Sequence, residues 1–456
     1  MSVRKFIAGL DFIGVVLYAV NVSAGEDASA SAIDAYLKPY VESNNFSGSV
    51  LVQRNSQVVF QKAYGFADCE QQLPNKVQTR FHIASMSMQF TAAAILRLVD
   101  EGRITLDSAV GDLLPETVGA DKITIRHLLT ERSGLADINE LADYDEILQQ
   151  HQTPASLVAK ILGCPLLFEP GSQFLHEEHS AYNLLALITE KKTELPFATA
   201  LEHLVFQPLH LNESFVDDDS TAAKKEVARG YRPEGVSALA PVTPIHWSAK
   251  TGNASICTTV GDEARWVDSL FHGKALSNSS KNAILDTSER VGYGWFKGSS
   301  KRFNETSYYM NGRAPGFASF VLYLPQETLT VVVLSNVYSS ATTDIGYDIA
   351  SITLGLPHEF FQPGKPLSEG ELKAYTGSFQ FGPDFYQKNA RVELTVTRKD
   401  LSLRWPSGDL SPLIFLSHDH FIDRNYWQQV SVERDASGKP EALVYDRFRG
   451  SIAEEK

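Results

Sequence analysis

The sequence predicts an α+β fold: an antiparallel sheet with a helical region between its strands, followed by a small all-β barrel or sandwich. Strand-like alternation opens the chain near residue 46 and returns near residue 293, with helical spacing between, so strands from both chain ends close one sheet. From residue 377 onward, short β segments recur at the spacing of a small antiparallel barrel or sandwich.

Residues 46–54 and 58–64 alternate apolar and polar around Asn55-Ser56, which reads as a hairpin. Residues 89–101 carry Ala93, Leu96 and Val99 at helical spacing, with Gly102 as a stop. Ser85 stands at the start of this helix, a place where serine also serves as a cap. Helical patterns follow at 125–129, 182–191 and 262–271. Strands return at 293–296, 317–324 and 328–335, the last two joined by Pro325-Gln326-Glu327. Gln362-Pro363-Gly364-Lys365-Pro366 reads as a linker. Seven β segments come after it, at 377–381, 392–397, 401–405, 413–416, 420–423, 430–434 and 442–445. The expected division is a signal peptide at 1–24, a main domain at 25–362 and a small β domain at 366–456, the two domains with separately packed cores.

The 456 residues include 41 basic and 55 acidic side chains, a net charge of -14 that disfavours nucleic acid as a partner. Arg4 and Lys5, the apolar run 12–20 and Val22-Ser23-Ala24 form a secretory signal pattern; the run is shorter than the ~20 residues of a spanning helix. Export to the periplasm or medium is expected, with no membrane span after cleavage. Cys69, Cys164 and Cys257 are too few and scattered for a disulfide scaffold or metal knuckle, and read first as buried small apolar residues.

The stretch Phe81-His82-Ile83-Ala84-Ser85-Met86-Ser87-Met88 resembles the nucleophile region of the serine β-lactamase and penicillin-binding-protein superfamily, which includes class C β-lactamases, low-molecular-weight penicillin-binding proteins and related serine esterases. Further similar blocks are Phe46-Ser47-Gly48, Lys62-Ala63-Tyr64-Gly65, residues 125–130, Ser133-Gly134-Leu135, Pro170-Gly171, residues 182–185, Tyr293-Gly294-Trp295 and Pro315-Gly316-Phe317. The segment from residue 368, with Tyr375-Thr376-Gly377, is similar to the small β domain that trails many such proteins. The resemblance implies that family's fold, and Ser85 as its acylating serine.

It also implies partners for that serine, and here the sequence departs. The family lysine three residues after the serine is Met88, whose thioether carries neither charge nor a usable proton site. The family Tyr-x-Asn falls on 175–181, where the tyrosine position holds His176 or Glu177 and the asparagine position Glu178 or His179. The third motif, Lys-Thr-Gly or His-x-Gly, falls on Met310-Asn311-Gly312. The oxyanion hole implied by the resemblance uses the amides of Ser85 and Arg313, which need no particular side chain.

Two functions follow from these residues. One is a catalytically impaired homologue that binds a peptide, glycopeptide or ester-like ligand in the vestigial cleft, or acts as a scaffold. The other is an active serine esterase or peptidase in which Ser85 takes a base from His176 or His179. No cofactor or metal is expected, because His176 and His179 do not match His-Glu-x-x-His. Met86 and Met88 read as packing, and His127 as structural. Tyr293, Trp295, Tyr308, Tyr309 and Phe317 read mostly as core, and Asp217-Asp218-Asp219 as a solvated loop.

Overall fold

A computed structural model describes residues 26–117, 119–176, 178–219, 226–288 and 290–453. The signal segment and Glu177 lie outside the described residues.

The main sheet has seven antiparallel strands, in the order Val291–Gly292, Trp295–Ser300, Glu305–Ala314, Phe317–Leu324, Leu329–Ser335, Gly48–Arg54 and Gln57–Tyr64. The amino-terminal hairpin joins the late strands by pairing Gly48 with Ser335 through to Arg54 with Leu329. Asn55 and Ser56, at its tip, have positive φ, as a tight turn requires. Phe317–Leu324 and Leu329–Ser335 are buried along their whole length, because both faces of the sheet are covered. Val321, Tyr323, Val332 and Leu334 face one core with the helices Met88–Asp100, His179–Thr193 and Val260–Phe271. Phe320, Leu322, Leu324, Val331 and Val333 face a second core under Glu26–Glu42 and Ala341–Thr353.

Elements not anticipated from sequence include two helices and a small sheet. The helix Glu26–Glu42 lies in a segment that reads as polar, yet Ile33, Tyr36, Leu37 and Tyr40 recur at i, i+3, i+4 and i+7 and are buried. The helix Ala341–Thr353 packs through Ile345, Ile349 and Ala350. A small sheet of Phe81–His82, Ile256–Thr258 and Phe215–Val216 supports the start of the Met88 helix.

The last eighty or so residues form a closed eight-stranded barrel, in which the first strand, Gly377–Gln380, pairs with the last, Phe448–Ile452. Closure leaves no free edge. The eighth strand escaped the sequence reading because Arg449, Gly450 and Ser451 dilute its apolar alternation. The barrel has an interior of its own, including Phe379, Leu394, Leu403 and Leu443. Its wall also shares the second core, where Trp427 and Ile414 meet Tyr40 and Phe361. The linker docks as well, with the Gly364 amide donating to Phe415 O at 2.8 Å.

Arg424 closes this seam. It is fully buried and donates to Asn45 Oδ1 (2.7 Å), Gly235 O (2.6 Å), Ala238 O (2.7 Å) and Asn44 O (2.9 Å), so one barrel side chain satisfies four acceptors of the main domain. Each orphaned buried acceptor costs about 1–3 kcal/mol. Arg424→Ala is therefore expected to destabilise the full chain by about 3 kcal/mol or more. Urea unfolding measures this, and an unchanged midpoint would show the seam to be dispensable.

Candidate active site

Ser85 lies in a 3₁₀ turn, Ala84–Ser87, that leads directly into the helix Met88–Asp100. Ala84 has φ 51°, a left-handed conformation that costs an alanine roughly 1–2 kcal/mol. The turn is held from outside. The Ile83 amide donates to Ile256 O (3.0 Å), Ser319 Oγ donates to Ile83 O (2.6 Å) and Ser87 Oγ accepts the Ile256 amide (3.0 Å). The capping role open to Ser85 is not used, since neither helical start here carries a side-chain cap. Among the described residues, no group hydrogen-bonds the Ser85 hydroxyl.

Gly312 brings the third-motif strand against this turn. A Cβ there would lie 2.3 Å from Ile83 O and 2.9 Å from the Ser85 nitrogen, so only glycine permits the approach. Ser85 and the Gly312 backbone are thus neighbours. Met88 and Met310 are buried in the adjoining core, as are Met86, Tyr293, Trp295, Tyr308 and Phe317.

The three described residues of the 176–179 loop diverge. His176 is exposed, with its ring 5.5 Å from that of Phe296 and 6.3 Å from that of Phe174. Glu178 is fully buried and accepts from the Ser133 hydroxyl (2.5 Å), the Ser133 amide (3.2 Å) and the Leu135 amide (3.2 Å), so its carboxylate holds the 133–135 loop. Burial pushes its pKa up to about 7 despite these donors. His179 is part-buried, with Nδ1 2.9 Å from Asp137 Oδ2 and 2.9 Å from Asn139 Nδ2.

Two further side-chain groupings were not found from sequence. Lys250, buried, donates to the Tyr144 hydroxyl, and Nζ lies 4.8 Å from the Tyr144 ring centre. Burial first, then the charge of Asp137, pushes the Tyr144 phenol above its usual range. The Arg313 guanidinium is layered between Tyr338 (3.8 Å) and Tyr426 of the barrel (4.4 Å). The only hint in the sequence was the aromatic pair Tyr426-Trp427 in a turn between two strands.

Two cavities flank the strand. One, about 1060 Å³, lies between barrel and main domain; Asn139, Asn311, Asp344, Trp405, Tyr426 and Tyr445 are in its wall. The other, about 910 Å³, lies over the outer strands and carries Arg132, Arg290, Lys297, Lys301 and Arg302. The outer strand Trp295–Ser300 pairs only with residues 305–309, so among the described residues Met310 through Ala314 are paired on one side only.

The comparisons agree with this geometry. The profile of the beta-lactamase family matches residues 33–351. The chain belongs to that family. It is 25% identical over 327 residues to Protein flp of Staphylococcus aureus (strain COL), a match spanning 68% of this chain but only 64% of that protein's length. Penicillin-binding protein 4* of Bacillus subtilis (strain 168) is 25% identical over 423 residues, 86% of this chain and 90% of that one. Among solved structures, the octameric penicillin-binding protein homologue from Pyrococcus abyssi superposes with a TM-score of 0.64 at 20% identity, over 93% of this chain and 99% of that one. FmtA from Staphylococcus aureus gives 0.62 at 21% identity, over 75% and 94%.

Two further expectations change. The 217–219 run is not a solvated loop: Asp217 is buried and bound to His82 Nε2 at 2.9 Å, and Asp219 is engaged by two histidines. Packing from three directions outweighs the polar composition of the run. Of the cysteines, all free, only Cys257 is buried, while Cys69 and Cys164 are half-buried. Among the described residues, no helix is long and apolar enough to cross a membrane.

One turn beyond Ser85, Gln89 Nε2 donates to Glu263 Oε1 (2.6 Å), and Gln89 Oε1 accepts from Trp266 (2.8 Å). Glu263 is fully buried, and burial pushes its pKa up to about 8. An acid whose pKa rises on folding keeps its proton in the native state while the unfolded chain releases it. Stability is therefore present near pH 4.5 and falls as pH rises toward about 7 for Glu178 and about 8 for Glu263. Glu263→Gln should flatten that fall, measured as urea midpoints between pH 5 and 8; an equal slope in the variant would assign it to other groups.

Proposed function

We propose that this chain binds a peptide, glycopeptide or similar carbonyl-bearing ligand beside Ser85 and does not turn it over by the family's usual route. The observation that carries this is the pair of buried methionines, Met88 and Met310, where the family places its lysine and its second polar group. Each general acid-base group typically contributes ~10²–10⁴-fold in rate, and more than one is replaced. Support for binding comes from the one-sided pairing of residues 310–314, which leaves an edge for an extended ligand, and from the neighbouring backbone donors of Ser85 and Arg313. Acidic and cationic cavities on either side of the strand suit a ligand with charges of both signs. Export, argued from the amino-terminal signal pattern, fits such a ligand.

One observation favours a second reading. The His179–Asp137 contact at 2.9 Å has the form of the base-and-orienter half of a serine triad, and a base so held would serve an esterase or peptidase if its ring reached Ser85. Intact-mass analysis after fluorescent penicillin and a fluorophosphonate separates the two. Binding without turnover predicts no stoichiometric adduct on Ser85 from either reagent. Adducts lost in both Ser85→Ala and His179→Ala would establish the second reading instead.

Met88→Lys alone is expected to restore little penicillin labelling, and Met88→Lys with Met310→His somewhat more. The new lysine enters a packed apolar site with nothing to hold its charge, and catalytic groups that act as a unit are strongly non-additive. Labelling by the single variant as fast as by the double would refute the claim that both losses matter.

A further inference from the structure

Away from Ser85, three segments distant in sequence converge on one carboxylate oxygen. Asp219 Oδ2 lies 3.1 Å from Nδ1 of His151 and 3.1 Å from Nδ1 of His246. The side chains of His151, His246 and Asp219 are 60%, 45% and 23% exposed, so the cluster is open to solvent. The rest of the carboxylate is already committed: Oδ1 accepts the Trp247 amide at 2.9 Å, and the Asp219 amide donates to Asp217 Oδ1 at 2.9 Å. The flanking backbone is tied too, with the His246 amide on Leu148 O (2.8 Å) and the Gln152 amide on Ser248 Oγ (3.0 Å). Such supporting bonds fix a ligand set before an ion arrives.

We propose that His151, Asp219 and His246 bind a divalent transition-metal ion of the zinc type, with solvent completing the coordination. Two imidazoles and one carboxylate are a donor set that zinc takes, whereas calcium and magnesium select oxygen-rich cages. Zinc-ligand distances of about 2.0–2.2 Å put neighbouring donors of a tetrahedral site roughly 3.3 Å apart. The two spacings here, 3.1 Å each, need only a small outward movement. A second convergent group, His82, Asp217 and Cys257, is fully buried, and His82 Nε2 is already on Asp217.

His151 follows the short helix Tyr144–Leu148, and His246 precedes the turn Trp247–Lys250, so the site bridges the two segments that carry the Tyr144–Lys250 pair. It acts as a cross-link between those segments rather than as a reaction centre.

The test uses the full chain, stripped of metal and free of any affinity tag, titrated with Zn²⁺ by calorimetry and with Co²⁺ by visible absorption. A single equivalent of Zn²⁺ is expected, together with a tetrahedral Co²⁺ band and a higher Tm when Zn²⁺ is present. His151→Ala and His246→Ala should each weaken binding by about tenfold or more, whereas His418→Ala, on an exposed barrel turn, should not. His151→Gln, with circular dichroism on every variant, separates loss of a ligand from loss of fold. No Zn²⁺ binding by the wild type would mean the cluster is only a hydrogen-bonded trio. Binding that persists in the His151→Ala, His246→Ala double variant would place the ion elsewhere. Either result overturns the proposal.

Discussion

The contact on which the rest of the site depends is the approach of Gly312 to the turn that carries Ser85. Because Gly312 has no Cβ, the strand Glu305–Ala314 runs within reach of Ile83 O and the Ser85 nitrogen, and Ser319 on the next strand locks Ile83 O from the same side. The sheet thereby fixes the left-handed Ala84 and presents Ser85 beside the start of a buried helix. Any side chain at 312 would force sheet and helix apart. The backbone contacts that build the turn do not involve the side chains of positions 88 or 310, so the scaffold does not depend on what those side chains are.

At positions 88 and 310 the side chains serve packing. Met88 and Met310 enlarge the core at two points where polar groups would otherwise need hydrogen-bond partners. The polar residues that remain are tied down for structural ends: Glu178 holds the 133–135 loop, and Gln89 bridges Glu263 and Trp266. His179 has an orienting carboxylate in Asp137, and the esterase reading is tied to that contact.

The barrel is more than an appendage. Arg424 and Trp427 reach into the main domain, and Tyr426 stacks on the Arg313 side chain at the end of the strand that borders Ser85. One wall of the largest cavity beside that strand is therefore made by the carboxy-terminal domain. The barrel turn 423–428 lines that cavity through Tyr426, Trp427 and Gln428.

Alternation and helical spacing in the sequence determined the sheet's outer hairpin, its long buried helices and seven of the eight barrel strands, because these elements bury one face at a fixed period. The motifs likewise located Ser85, Met88, Met310 and Gly312 without any coordinates. Tertiary structure decided what no period or motif encodes: the Tyr144–Lys250 pair, the Arg313 sandwich and the His151–Asp219–His246 cluster each join residues roughly seventy or more positions apart across at least one step. It also decided the fates of His176, Glu178 and His179, since neighbours on a loop can face three different surroundings. Sequence spacing fixes direction only within a regular element; between elements, and in loops, the packing of the whole chain sets which side chains meet.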